Sequence, residues 1–281
     1  MLSYRHAFHA GNHADVLKHA VLVDVLHHFN QKEKPWSYVD THAGAGCYAL
    51  EGAQAGQTEE FRGGIARLWG RSDLPPMLAQ YVAAVAAFNT AGALRYYPGS
   101  PALAANCLRR DDRMRLFELH STDAPRLGKY FRDDGRRVRV DQGDGFAALT
   151  SVLPPPSRRG VVLMDPSYEI KADYRRVAEA LSEGLRRFAT GTFILWYPLL
   201  QRPEARQLPE RLLKLGPPSW LRAELSVHKP RPDGLGMQGS GLFVANPPWT
   251  LAEHLKPALA WMADALADDG TGQYRLDGQA P

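Results

Sequence analysis

The chain has 281 residues, 44% of them hydrophobic and 23% charged, with a formal net charge of +4; this is ordinary for a soluble globular protein that buries one large core. Its two cysteines, Cys47 and Cys107, form no C-x-x-C pair, which argues against a disulfide framework or a zinc ribbon and fits a reducing compartment. No run of roughly 18 apolar residues appears and the first residues hold no signal-peptide core, so a cytoplasmic protein without a membrane span is expected.

In chain order, Asn12 to Asn30 has helical character, with Val16, Ala20, Val23 and Leu26 recurring at threes and fours and Asn12 able to cap. Trp36 to Asp40 reads as a strand, followed by the glycine-containing loop Thr41-His42-Ala43-Gly44-Ala45-Gly46. From Cys47 to about Gly99 the pattern is mostly helical, clearest at Leu78 to Phe88. A helix at Pro101 to Arg110 leads into a strand at Arg113 to Glu118. Then come a helix (Asp123 to Arg132), a strand (Arg137 to Asp141), a short helix (Gly145 to Leu153) and the triplet Pro154-Pro155-Pro156. The run Gly160 to Met164 reads as a buried parallel strand. It is followed by a helix at Ala172 to Phe188, a strand at Thr192 to Tyr197 and a helix at Glu204 to Leu215. Strands at Trp220 to Val227 and Leu242 to Ala245, a helix at Leu251 to Leu266 and a Gly/Asp-rich tail expected to fray complete the chain. Seven strands with intervening helices imply a doubly wound, mainly parallel α/β sheet with a terminal hairpin.

Four places in that alternation carry chemistry. The G-x-G of Gly44 and Gly46 follows a strand, where small residues let a backbone approach a ligand. Neither a P-loop nor the full G-x-G-x-x-G is present, since Ala49 stands where the third glycine would fall; this argues against a nucleotidase and a dinucleotide dehydrogenase. An acid on a ribose is expected about 20 residues after such a loop, at the end of the second strand. Here that acid is Glu118, 72 residues after Gly46. An inserted helical subdomain at residues 47–99 reconciles the spacing, with residues 1–46 and 100–281 forming the main domain. The plainer reading of Glu118 is a solvated strand-end acid. The third strand ends near Asp144-Gly145, where an acid could meet an adenine amine. The fourth ends at Asp165-Pro166-Ser167-Tyr168, where a carboxylate, a carbonyl and an aromatic face could grip a planar, amine-bearing ring. Its plainer reading is an Asp-Pro turn.

In that order the four features resemble S-adenosylmethionine-dependent methyltransferases that modify exocyclic amines, whose motif is [Asp/Asn/Ser]-Pro-Pro-[Tyr/Phe/Trp]. Met1 to His6, Phe8 to His19, Asp40 to Gly46, Arg95 to Pro101 and Asn246 to Trp249 further resemble the bacterial ribosomal RNA large-subunit methyltransferase J family, over nearly the whole chain. The resemblance implies a Rossmann-like, seven-stranded class I methyltransferase sheet. It also implies methyl transfer to N6 of an adenine in 23S rRNA, taken as naked or partly assembled RNA by a monomer that needs no metal. His19, His42, Ser100, Glu118, Asp144, Gly145 and Asp165 would line the S-adenosylmethionine pocket, with Glu118 on the ribose hydroxyls. Asp165, Pro166 and Tyr168 would hold the target amine, and Tyr4 would contact the RNA. Ser167 departs from the motif, where a second proline would stiffen the turn.

Competing features are weighed on the same residues. Asn246-Pro247-Pro248-Trp249 spells the amine motif better, but it follows the seventh strand and not the fourth, so a turn or pocket-wall role is expected. His6, His9, His13 and His19 could suggest a metal site; RNA contact or helix N-terminal structure is the stronger reading. Cys47 could be an activated thiol, or a packed small residue. Five arginine pairs, from Arg109/Arg110 to Arg186/Arg187, are individually solvated faces, and would form a phosphate track if several shared a face with Tyr4 and Asp165. Two other classes stand beside the rRNA enzyme: a non-catalytic RNA-binding protein, and an enzyme of the same fold acting on DNA or on protein glutamine.

Overall fold

The computed structural model describes residues 6–51, 55–268 and 270–279. In chain order the elements are α1 (His13–Asn30), β1 (Ser37–Asp40), β2 (Cys47–Ala49), α2 (Ala55–Thr58), α3 (Pro76–Ala86), β3 (Tyr96–Pro98), α4 (Ser100–Cys107) and β4 (Arg113–Glu118). They continue with α5 (Asp123–Tyr130), β5 (Val138–Gln142), α6 (Gly145–Val152), β6 (Gly160–Met164), α7 (Ala172–Arg187) and β7 (Thr192–Leu199). The last five are α8 (Pro203–Leu213), β8 (Trp220–Ser226), β9 (Gly239–Ala245), α9 (Leu251–Leu266) and β10 (Gln273–Gln279).

The main sheet has eight strands in the order β10-β8-β9-β7-β6-β1-β4-β5. Strands β5, β4, β1, β6 and β7 run parallel, β9 lies antiparallel between β7 and β8, and β10 adds antiparallel to β8. This is the class I methyltransferase sheet, with one strand more than the seven expected. The extra strand is β10, whose residues the tail was expected to leave frayed; seven residue pairs, Gln273↔Ser226 to Gln279↔Trp220, hold it instead. The segment expected to be mostly helical also holds two short strands, because β2 and β3 pair as a separate ribbon, Cys47↔Pro98 to Ala49↔Tyr96.

Alternation along each strand divides the core in two. In β6, Val161 and Leu163 face a core shared with α1, α3, α4 and α9, whereas Val162 and Met164 face one shared with α6, α7 and α8. Helix α1 is buried on nearly every side: Val16, Leu17, Ala20, Val21, Leu22, Val23, Val25 and Leu26 have no exposed surface. It packs on α3, α4 and α9. Asn12 starts it, its side chain accepting from the Ala14 and Asp15 amides at 3.0 and 3.1 Å, which satisfies donors that the first turn would otherwise leave open. A helix buried all round tolerates a polar residue only where that residue has a partner, and α1 carries three such residues on one face: Asp15, Lys18 and His19.

Candidate active site

The chain reverses its winding direction between β1 and β6, and the carboxyl ends of β1, β4, β6 and β7 open into a cleft of about 440 Å³. Such switch points are where open α/β sheets bind ligands. The β1 end contributes His42, Ala43 and Gly44, the β4 end Glu118 and the β6 end Asp165 to Glu169, while α1 contributes Asp15, Lys18 and His19.

Glu118 is held by two backbone donors: the Gly44 amide reaches Oε2 at 2.7 Å and the His120 amide reaches Oε1 at 2.7 Å. Burial raises its pKa, while the two amides and His120 pull it back. A carboxylate offers about four acceptor sites, so each oxygen keeps a lone pair beyond those two bonds. Gly44 lies at φ +63°, and a Cβ there would fall 2.3 Å from the Tyr48 hydroxyl, so glycine lets the loop pack closely on Tyr48.

Asp165 is not alone at the amine end. Lys18 Nζ donates to Asp165 Oδ2 at 2.5 Å and lies 2.8 Å from Asp15 Oδ1. Lys18 is 3% exposed. Burial works against its charge, but Asp15 and Asp165 outweigh that and raise its pKa. Burial likewise opposes ionisation of Asp15, yet His6 and Lys18 hold it well below the usual carboxylate range. His6 Nε2 and the Gly11 amide meet its Oδ2 at 2.9 and 2.8 Å. Two carboxylates on one ammonium leave the cluster with surplus negative charge, which suits a cationic ligand.

Tyr168 takes φ +52°, a conformation uncommon outside glycine. Its hydroxyl donates to the Trp196 carbonyl at 2.7 Å and its ring packs 4.6 Å from that of Tyr174. It lines the cleft but is only 3% exposed, so most of the ring serves the core and only a margin can meet a ligand. Pro166 is buried and Ser167 half-buried in the same wall.

The other expected residues fall into two groups. His19 and His42 line the cleft. Burial lowers the pKa of both, that of His42 to about 4, so both rings are neutral at pH 7. His19 Nδ1 and the Tyr97 hydroxyl are 2.7 Å apart. Ser100 lines the cleft and donates to Asp40 Oδ2 at 2.7 Å, where the Tyr38 hydroxyl also donates at 2.7 Å. Asp144 and Gly145 lie behind the wall, not in it. Asp144 caps α6 through the Phe146 and Ala147 amides and pairs with Arg176, which does line the cleft, at 2.5 Å. Gly145 lets α6 pack against the β1 loop, since a Cβ there would lie 2.1 Å from the Thr41 carbonyl oxygen. Tyr4 lies outside the described residues.

Sequence reasoning assigned no role to Asp15, Lys18 or Asp40, and read Arg176 only as half of one arginine pair. A signal for the first two was present, because Asp15, Lys18 and His19 stand at i, i+3 and i+4 and so share one helix face. Among the competing features, Asn246 is at the other end of the sheet: β9 is antiparallel to β7, so its carboxyl end meets Phe193 at the start of β7. There Asn246 Nδ2 donates to the Ala189 and Gly191 carbonyls at 2.8 Å each, and Trp249 is 75% exposed outside the cleft. The arginine pairs do not form one track. Arg109 and Arg159 tie down the end of α1 and the residues after it through the Lys32, Lys34 and Phe29 carbonyls, and Arg186 and Arg187 pair with Glu183 in the last turns of α7. Helix carboxyl ends favour cations, which suits Arg186 and Arg187 in the last turn of α7, whereas Arg176 lines the cleft. Burial raises the Cys47 thiol above its ordinary value, so it is a packed side chain and not an activated nucleophile. His6 and His9 belong to the structure around the α1 start, meeting Asp15 and Glu60 at 2.9 Å each. No helix among the described residues is long and apolar enough to cross a membrane.

Comparison with known proteins identifies the family. Residues 33–279 match the family model described as "Ribosomal RNA large subunit methyltransferase D, RlmJ". The chain is 47% identical to ribosomal RNA large subunit methyltransferase J of Escherichia coli K12 over 281 residues, all of both chains. It is 45% identical to the protein of that name from Haemophilus influenzae Rd over 282 residues, again with full coverage of both. The crystal structure of protein LPL1258 from Legionella pneumophila superposes with a TM-score of 0.89 at 35% identity, covering 97% of this chain and 99% of that one. The chain therefore belongs to the ribosomal RNA large subunit methyltransferase J family.

Proposed function

We propose that this protein transfers a methyl group from S-adenosylmethionine to N6 of an adenine in 23S rRNA, with residues 1–46 and 100–281 as the methyltransferase domain and 47–99 inserted into it. The observation that carries the reading is that Glu118 and the Asp165-Pro166-Ser167-Tyr168 turn line one cleft, in a chain 47% identical to a ribosomal RNA large subunit methyltransferase.

The residues present suit the cofactor. Glu118 has acceptor capacity left for a pair of ribose hydroxyls, and the Gly44 amide of the glycine loop orients its carboxylate. The surplus negative charge of Asp15, Asp165 and Lys18 suits a sulfonium. His42 and Ser100 line the same space as neutral polar groups, and His19 closes it from α1. When bound, S-adenosylmethionine supplies an electrophilic methyl carried on a sulfonium, so no activating metal is required.

The chain's task is to make a poor nucleophile adequate. The N6 lone pair of adenine is delocalised into the ring. Hydrogen bonds from the amine to Asp165 Oδ1 and the Pro166 carbonyl favour a pyramidal nitrogen whose lone pair points out of the ring plane. Lys18 occupies Asp165 Oδ2 and so fixes which oxygen faces the amine. Positioning of this kind supplies much of the rate. As the N–C bond forms, N6 becomes cationic; its surplus proton passes to Asp165 and on to water. The base must leave its stack to reach the cleft, and Pro166 with the exposed margin of Tyr168 forms the wall it would meet. The test is transfer of labelled methyl from S-adenosylmethionine to 23S rRNA, mapped by nuclease digestion, with DNA as control. Asp165→Ala should lower turnover at least 100-fold with an unchanged circular dichroism spectrum. Near-normal turnover by that variant, or labelling of DNA alone, would overturn the assignment.

A further inference from the structure

A second cleft, of about 450 Å³, opens beside the first. Asn12, Glu60 and Met237 line both, so the two are neighbouring compartments of one surface. The outer wall of the second is the connection between β8 and β9, which brings His228, Lys229 and Arg231 to it. Two acids also line it, and both are engaged: Glu60 by His9 and Asn12, and Asp268 by Arg67 and, at 3.7 Å, by His228. The Arg231 guanidinium has no acidic partner among the described residues. The rim of the compartment thus presents an exposed guanidinium, with the Lys229 ammonium beside it in the lining.

Its apolar elements are placed as deliberately. Leu235 is 67% exposed at the tip of the connection. The turn that presents it is built by Gly234 and Gly236, at φ +72° and +85°, and by the Asp233 carboxylate accepting from the Leu235 amide at 2.9 Å. Met237 stands on the partition between the clefts. From the inner side comes His13, whose Nδ1 is buried with no hydrogen-bond partner, and a buried polar atom of this kind is destabilising while it stays unsatisfied. Burial lowers the His13 pKa to about 4, so at pH 7 the ring offers one donor and one acceptor.

An exposed guanidinium with an ammonium beside it, an apolar shelf and an unpaired ring nitrogen, one partition away from a base-binding cleft, suit a single occupant. We infer that the second cleft seats the nucleotide adjoining the target adenosine, with its phosphate on Arg231 and Lys229, its base against Leu235 and Met237, and the His13 ring at the base edge. The inference rests on the proposed function and adds to it, because it places recognition of flanking sequence in the β8–β9 connection. Extruding a base costs a few kcal/mol, and gripping its neighbour offsets part of that.

The test uses the full chain and transcribed 23S rRNA. Lys229 and Arg231 are exposed, so Lys229→Ala/Arg231→Ala should fold as the wild type does. It should raise KM for RNA about tenfold, leave kcat within about twofold, keep the affinity for S-adenosylmethionine and flatten the salt dependence of RNA binding by about one to two phosphate contacts. His13→Phe, which keeps a ring but removes both nitrogens, should alter the preference for the base beside the target while leaving the salt slope unchanged. Unchanged RNA affinity and salt slope in the double variant would overturn the inference. Direct RNA binding reads this independently of turnover, so absence of methyl transfer by the wild type would count against the proposed function and not against the second cleft.

Discussion

Replacing Lys18 by methionine keeps the length and apolar stem of the side chain and removes only the ammonium. The remaining carboxylates then face each other across buried space: Asp15 is 1% and Asp165 15% exposed at the side chain. Breaking a buried ion pair from one side costs about 3–5 kcal/mol. Here one cation serves two anions, which pushes the cost upward, while His6 and the Gly11 amide remain on Asp15 and push it back. About 4 kcal/mol at pH 7 is expected, read by urea denaturation with tryptophan fluorescence. The pH dependence separates charge from packing. The folded-state pKa of Asp15 is depressed, so its ionisation stabilises the fold above the unfolded value of about 3.9, and that contribution is lost as pH falls through the folded pKa. The methionine variant has surrendered most of it. The gap between wild type and variant should therefore be widest near pH 7 and narrow as pH drops below about 4. Adding Asp165→Asn should restore roughly half the loss, since one uncompensated anion goes. A gap under about 1 kcal/mol at pH 7, or one that widens in acid, would refute this account of the cluster.

Two further outcomes are expected. Asn246→Ala should cost about 1–3 kcal/mol, because it removes two hydrogen bonds and leaves alanine at φ +50°; its turnover should stay within about twofold, and a thermal melt beside an initial-rate assay reads both. Burial raises the Asp40 pKa to about 6, against the pull of Ser100 and Tyr38. The folded state therefore holds a proton that the unfolded chain has released, and this contribution to stability falls as pH rises from about 4 to 6. Relative to wild type, Asp40→Asn should gain up to about 3 kcal/mol between pH 4 and pH 7, and a flat difference across that range would contradict it.

Elements whose residues face only the core were the legible ones. Gly160 to Met164 is apolar on both faces because helices cover both, and β1, β4 and β6 could be placed in order from such runs. That order also ranked the Asp165 turn above the better-spelled Asn246 turn. Strand β10 was hidden because Gln273-Tyr274-Arg275-Leu276-Asp277-Gly278-Gln279 alternates weakly: it lies on the sheet edge, largely exposed, and owes its form to the partner strand. The β2–β3 ribbon is too short to leave a pattern. Asp144 was legible from its strand-end position as a candidate ligand residue, but an acid just before a helix is equally a cap, and only the fold shows that Asp144 caps α6 and pairs with Arg176. Lys18 was masked for a different reason. A lysine in a helix ordinarily marks its wet face, and its acid partners lie three residues before it and 147 residues after it.

The added strand also changes how the sheet ends. Without β10, the margin would be β8, whose Leu221, Ala223 and Leu225 alternate as buried apolar residues and whose open amides and carbonyls would make an adhesive template for another chain. With it, the margin carries Arg275 and Asp277, bonded to each other at 2.9 Å, and Asp277 also clasps the buried Arg222 at 2.6 Å. The opposite margin, β5, shows Arg139 and Asp141, 3.1 Å apart. Both borders of the sheet are thus fenced by charge, which guards each open edge against pairing with a strand of another chain.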